Sequence, residues 1–302
     1  MQRKERLHVY IAGFTPVEAR MGDDDFSAGD EQGEEGDYRE PVGHADERGV
    51  AGSGDLQGRD GSGHRRRIAR DGCGRRGNCG RGAHLREWEW RELMEITGQD
   101  VLLVIDVQND FCPGGALAVA DGDAVLGPIH RVAERFEHIV LTQDWHPAGH
   151  SSFASAHVGK KAFETIEVGY GTQTLWPDHC VQGSNGAELH AGLELTRAEL
   201  ILRKGFRREI DSYSAFFEND RETATGLGGY LEERGLTRVF LAGLAYDFCV
   251  GYSALDARRL GLEAVVLRDA CRAIDLGGSV EKIEAEFDLA GVSVMESAAL
   301  LG

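Results

Sequence analysis

Four short apolar runs set most of what this chain can fold into. They are Val101–Val107 (VLLVIDV), His138–Gln143 (HIVLTQ), Arg238–Ala242 and Glu263–Leu267. Each is too continuous to lie half in water, so each reads as a strand covered on both faces. Leu200–Arg203 and Val292–Met295 read as two shorter strands. Between them Asp123–Phe136, Thr223–Arg234, Val250–Leu260 and Ser279–Ala290 have helical patterning, although Gly226, Gly228 and Gly229 weaken the start of the second. Strands alternating with helices predict an α/β fold: a mainly parallel central sheet with helices on both faces. In such sheets a site lies outside the carboxyl ends of the strands.

Met1–Leu93 reads differently. It runs through Gly-Asp-Arg mixtures such as Gly72-Cys73-Gly74-Arg75-Arg76-Gly77, and its sparse apolar residues follow neither period. A chain of that kind cannot bury enough surface to offset its ordering entropy, so residues 1–93 are expected to be a disordered extension and residues 94–302 the folded domain. Three features stand out in the extension. Arg65-Arg66-Arg67 reads as a solvated charge run, because acidic residues surround it. Cys73 and Cys79 with His64 and His84 have a spacing that matches no common zinc module. Trp88 and Trp90 either dock a partner or begin the folded domain. The break in composition also admits a start of translation at Met94.

Charge and apolar content narrow the partners. Of the net charge of −18, −15 falls on residues 94–302, with 32 Asp and Glu against 17 Lys and Arg. A field that negative opposes nucleic acid and anionic membranes. No run of 18 apolar residues occurs, so no membrane span is expected. Six scattered cysteines, with no signal-peptide pattern, point to a reducing, cytoplasmic setting. Whether the chain forms a homo-oligomer is left open.

The polar residues at the predicted strand ends carry the chemistry. Asp106 closes the first run and Lys204 follows Leu200–Arg203. Alone, the two read equally well as an ion pair sealing the sheet. Cys249 shifts the balance. It follows strand Arg238–Ala242 at the start of a helix, where free N–H groups and the helix dipole favour a thiolate. Cys112 and Cys180 lack that setting, and Cys271 reads as structural. A second group starts where His138–Gln143 stops: Asp144-Trp145-His146-Pro147-Ala148-Gly149-His150, joined by His179. Asp144, His146 and His179 together suit one divalent transition metal, Zn, Fe or Mn, with water in the open positions.

These residues stand in the motifs Asp106-Val107-Gln108-Asn109-Asp110-Phe111, Asp144-Trp145-His146-Pro147, Trp176-Pro177-Asp178-His179-Cys180, Lys204-Gly205, Asp211-Ser212-Tyr213-Ser214-Ala215-Phe216 and Gly243-Leu244-Ala245-Tyr246-Asp247-Phe248-Cys249-Val250. As a set they resemble the nicotinamidases (pyrazinamidases) of the isochorismatase-like cysteine hydrolases, across roughly residues 99–302. The resemblance implies the isochorismatase-like three-layer fold and hydrolysis of nicotinamide to nicotinate and ammonia, serving NAD salvage. It implies a triad of Asp106, Lys204 and Cys249. It also implies an oxyanion hole of the Ala245 and Cys249 N–H groups at a cis Leu244–Ala245 peptide. Substrate contacts would come from Phe111, Trp176, Leu244 and Ala245. Asp144, His146 and His179 would hold the metal, with His150 a ligand in some members only. Two features depart from the family: the extension, and Phe248 where members often carry His or Tyr.

Three other readings compete. An isochorismatase lacks the nucleophilic Cys and the metal, a carbamoyl-amide hydrolase keeps the Cys triad without the metal set, and a non-catalytic binding protein would have lost a triad residue.

Overall fold

The computed structural model describes residues 95–301, so the readings made for Arg65–Arg67, Cys73, Cys79, His64, His84, Trp88 and Trp90 fall outside the described residues. Six strands form one sheet: β1 (Asp100–Ile105), β2 (His138–Asp144), β5 (Leu200–Lys204), β6 (Arg238–Leu244), β7 (Glu263–Arg272) and β8 (Ser293–Met295). Their order is β5-β2-β1-β6-β7-β8, and every neighbouring pair is parallel. The side chains of β1 alternate between two cores, as the period of two requires. Leu102 and Val104 enter one core with Ile129 and Val132 of α1 (Leu126–Ala133). Val101, Leu103 and Ile105 enter the other. There they join Leu231 of α2 (Leu227–Glu233), Ala254 and Ala257 of α3 (Gly251–Arg259), and Ile283 and Phe287 of α4 (Ser279–Ala290). The three-layer α/β expectation holds.

Several boundaries moved for identifiable reasons. The helix expected over Asp123–Phe136 starts as a 3₁₀ turn at Gly122–Val125 and ends at Ala133. Thr223–Arg234 shortens to α2, because Gly226 precedes it at φ +105°, outside the helical region. Strand β7 runs five residues past Leu267. The Asp269 carboxylate accepts the N–H and hydroxyl of Ser297 at 2.6 Å each, and the strand continues through a register shift. A hairpin of β3 (Thr165–Val168) and β4 (Gly171–Thr174) was not foreseen. Asp144 and Lys204 are the last residues of β2 and β5, paired in register, rather than the first residues beyond them.

Candidate active site

The carboxyl ends of β1, β2, β5 and β6 bring a thiol, two carboxylates and an ammonium together with almost no solvent contact. Asp106 follows β1 at φ +48°, a left-handed conformation that costs a non-glycine residue energy. Thr142 of β2 holds it there: its hydroxyl donates to Asp106 Oδ1 at 2.6 Å and accepts the Asp106 N–H at 3.1 Å. Lys204 is fully buried. Its Nζ lies 2.8 Å from Asp106 Oδ2, donates to Asp144 Oδ1 and to the Ser212 carbonyl, the latter at 2.8 Å, and sits 3.5 Å from Cys249 Sγ. The Lys204–Asp106 contact is a fully buried ion pair. A carboxylate oxygen of Asp106 lies within 4.8 Å of Cys249 Sγ.

Cys249 is not at the first turn of an ordinary α-helix. It occupies a five-residue π-type turn, Tyr246–Val250, that leads into α3. Such wide turns recur at functional positions. The expected cis peptide is present between Leu244 and Ala245. Asp247 in the same turn is buried and accepts the N–H groups of Ile274 and Asp275 and the Ser279 hydroxyl, tying the segment before α4 to the site.

Burial dominates the proton affinities. It pushes the Cys249 thiol well above its usual range, against the pull of Lys204. It raises the Asp106 carboxyl as well, again opposed by Lys204. Burial also works against a charged Lys204, but Asp106 and Asp144 outweigh it and hold the ammonium firmly protonated. The resting cysteine is therefore a thiol, and its activation needs an internal base.

The second group adjoins the first through Asp144. Burial disfavours the Asp144 carboxylate, yet Lys204 and His146 outweigh it and keep the carboxyl well below the usual range. Asp144 Oδ2 faces His146 Nε2 at 3.6 Å and His179 Nε2 at 3.9 Å. His146 Nδ1 donates to the Gly205 carbonyl at 2.8 Å, and His179 Nδ1 donates to the Pro177 carbonyl at 2.8 Å. With Nδ1 committed, each ring turns Nε2 toward Asp144, the orientation a metal ligand takes; at His146 burial opposes the charged form, but the Asp144 carboxylate outweighs it and raises the proton affinity. Burial, then His146, pushes His179 down to about 4, so it is neutral at neutral pH. Ligand atoms of Asp144, His146 and His179 fall within 4.8 Å of one another. The donor set fits a divalent metal ion.

His150 stands beside this group, its ring centroid 4.4 Å from that of His146. Its Nδ1 accepts the Ser152 N–H at 3.2 Å and its Nε2 donates to the Arg207 carbonyl at 2.8 Å, so both ring nitrogens are engaged. It clusters with His146 and Asp211.

Several residues that hold the site gave no separate signal in the sequence. Gln108 pairs with the Asp144 backbone on both sides: Nε2 to the carbonyl at 2.9 Å, Oε1 from the N–H at 2.8 Å. Asp110 accepts the Cys180 N–H at 2.7 Å and so fixes the segment carrying His179. Gly205 stands at φ +66°, and a Cβ there would come within 2.5 Å of His146 Cε1. The quoted motifs contain all three, and their roles appear only in three dimensions.

A narrow pocket of about 20 Å³ opens onto Cys249. Phe111, Trp176, Ala245, Asp144 and His179 line it as expected. Leu244 does not: its side chain is fully buried in the core, and its contribution is the peptide it shares with Ala245. Tyr213 and Phe248 complete the aromatic wall. Phe248 packs edge-on against Trp176 at 5.0 Å, and Trp176 Nε1 donates to the Tyr213 hydroxyl at 3.1 Å.

A parallel α/β sheet that gathers a thiol, a carboxylate and an ammonium at its carboxyl end is an architecture suited to hydrolytic chemistry. Comparison with known proteins agrees. The Isochorismatase domain model matches residues 100–299, and the chain belongs to that family. The nicotinamidase of Acinetobacter baylyi is 54% identical over 208 residues, covering 69% of this chain and 97% of that protein. Among solved structures, a nicotinamidase/pyrazinamidase of Acinetobacter baumanii is 52% identical with a TM-score of 0.68, covering 68% of this chain and all of that one. PnC1 of L. infantum, in complex with nicotinate, is 43% identical with a TM-score of 0.59, covering 67% and 94%. The pyrazinamidase of Pyrococcus horikoshii, in complex with zinc, is 31% identical with a TM-score of 0.52, covering 66% and 99%.

Proposed function

We propose that this chain hydrolyses nicotinamide to nicotinate and ammonia through a thioester on Cys249, an amidohydrolase reaction that serves NAD salvage. The observation that carries the reading is Asp106, ion-paired with Lys204, beside the buried Cys249 thiol, which opens onto a pocket walled by Phe111 and Trp176. The nicotinamidases it resembles supply the substrate, and the pyrazinamidases among them extend it to pyrazinamide.

Asp106 takes the thiol proton as Cys249 Sγ attacks the carboxamide carbon, with Lys204 balancing the charge. The Ala245 and Cys249 N–H groups hold the oxyanion, each worth about 3–4 kcal/mol in comparable sites. Asp106 returns the proton to the leaving nitrogen, ammonia departs, and a thioester remains. Water then attacks the thioester while Asp106 takes its proton; nicotinate leaves and the thiol is restored. Phe111 and Trp176 orient the flat ring by stacking. Asp144, His146 and His179 would hold a divalent metal ion, zinc in the Pyrococcus horikoshii relative, which supplies a Lewis-acidic anchor for the pyridine nitrogen and acidifies bound water. Among the described residues no helix is long and apolar enough to cross a membrane.

The test is ammonia release from purified protein with nicotinamide, pyrazinamide and a panel of unrelated small amides. Selective turnover of the two ring carboxamides supports the reading. Turnover of a different amide, or of none, overturns it.

A further inference from the structure

A second cavity lies away from the pocket over Cys249. It is an apolar groove of about 480 Å³, lined by Phe216, Phe217, Gly228, Leu236, Thr237 and Leu260 among others. It exists because α2 carries Gly228 and Gly229 where a helix normally projects side chains. Leu260 on its rim is 44% exposed. The chain that precedes the domain arrives at this edge. The Thr237 N–H donates to the Gln99 carbonyl at 3.0 Å, and Arg238 Nη2 donates to the Glu95 carbonyl at 2.7 Å. Trp88 and Trp90 lie only a few residues upstream, in Trp88-Glu89-Trp90-Arg91-Glu92-Leu93. The five residues from Trp90 to Glu95 reach at most roughly 16–18 Å when extended. Two indoles, each with roughly 150–250 Å² to bury, are poorly suited to stand in water beside an open apolar groove. The residues that make the groove play no part in the chemistry above.

We propose that the Trp88–Trp90 segment of this same chain docks into the groove formed by α2, Leu236 and Leu260. The docked segment closes the apolar edge at the amino-terminal side of β6 and leaves the Cys249 pocket, at the opposite end of that strand, untouched.

Hydrogen exchange on the full chain tests this, using the unaltered protein, Leu260→Asp and the double variant Trp88→Ser/Trp90→Ser. Leu260→Asp places a charge on an exposed rim position, and unchanged turnover serves as its folding control. The expected result is reciprocal: residues 86–94 exchange at least about tenfold faster in Leu260→Asp, and residues 226–237 do so in the double variant. Unchanged exchange in either direction overturns the proposal. So does protection of residues 226–237 that rises with protein concentration, which would make a second copy of the chain the occupant.

Discussion

Asp144 divides its two carboxylate oxygens: Oδ1 accepts a hydrogen bond from Lys204, and Oδ2 faces the Nε2 atoms of His146 and His179. One side chain thus belongs both to the cluster around the thiol and to the group suited to a metal. Removing the charge at Asp144 should damage both. Asp144→Asn is expected to lose metal and to stay inactive when metal is resupplied in excess, because Lys204 loses a partner as well. His146→Ala should lose metal but regain part of its turnover with excess metal. Metal content and kcat, measured side by side with and without added zinc, check this; equal rescue of both variants would show that Asp144 acts through the metal alone.

Cys249→Ala should lower turnover of nicotinamide by at least about 10⁴-fold while the ring still binds, since Phe111 and Trp176 are unchanged. Intact-mass analysis during turnover should show an acyl adduct on the unaltered protein and none on the variant. An adduct on Cys249→Ala would place the nucleophile elsewhere.

The left-handed Asp106 depends on Thr142. Thr142→Val keeps the shape but removes the 2.6 Å hydrogen bond to Oδ1 and the acceptor for the Asp106 N–H. Loosening a base by a fraction of an ångström costs roughly 10–100-fold, and the loss should fall on kcat rather than KM. Thr142→Ser should recover most of it. A KM effect alone would show that Thr142 shapes the pocket instead.

The proton affinity of Asp106 sets the acid limb of the rate. Burial raises its carboxyl above the ordinary value near 3.8. A protonated carboxyl cannot take the thiol proton, so kcat/KM should fall as pH drops, with a midpoint above the usual Asp range. The observed value belongs to Asp106, Lys204 and Cys249 as a coupled set. A pH profile flat down to the ordinary Asp range would exclude Asp106 as the base.

Much of this site was legible because its chemistry is concentrated at strand ends. Asp106, Asp144, Lys204 and the approach to Cys249 each terminate an apolar run, and a polar residue in that position is visible without coordinates. What stayed hidden is what acts across the sequence. Gln108 clamps Asp144 from 36 residues away, and Gly205 matters only because the His146 ring lies over it. The hairpin at Thr165–Thr174 was missed because its strands are short and largely exposed, which leaves little hydrophobic pattern. The extension of β7 was missed because Asp269 finds its partners in Ser297, close to the end of the chain.

A protein beginning at Met94 should fold and turn over nicotinamide within about twofold of the full chain, which follows from how the domain closes its own edge. Arg238 pairs with both Asp100 oxygens at 2.6 and 2.7 Å and reaches the Glu95 carbonyl, while the Thr97 N–H donates to Asp100 Oδ2 at 2.6 Å. Each of those groups lies at or beyond residue 95, so β1 keeps its entry contacts. Every side chain placed around the thiol and the metal group lies beyond residue 105, at the far end of the strands. The loss should appear in stability instead. A docked Trp88–Trp90 segment worth about 1 kcal/mol would, on leaving, lower the thermal midpoint by about 2–4 °C for a domain of this size. Thermal melts and kcat/KM for both proteins decide the matter. Retained activity with a modest drop in midpoint agrees with a separable domain that carries the whole site. Loss of activity would mean that residues before Met94 support the site from a distance.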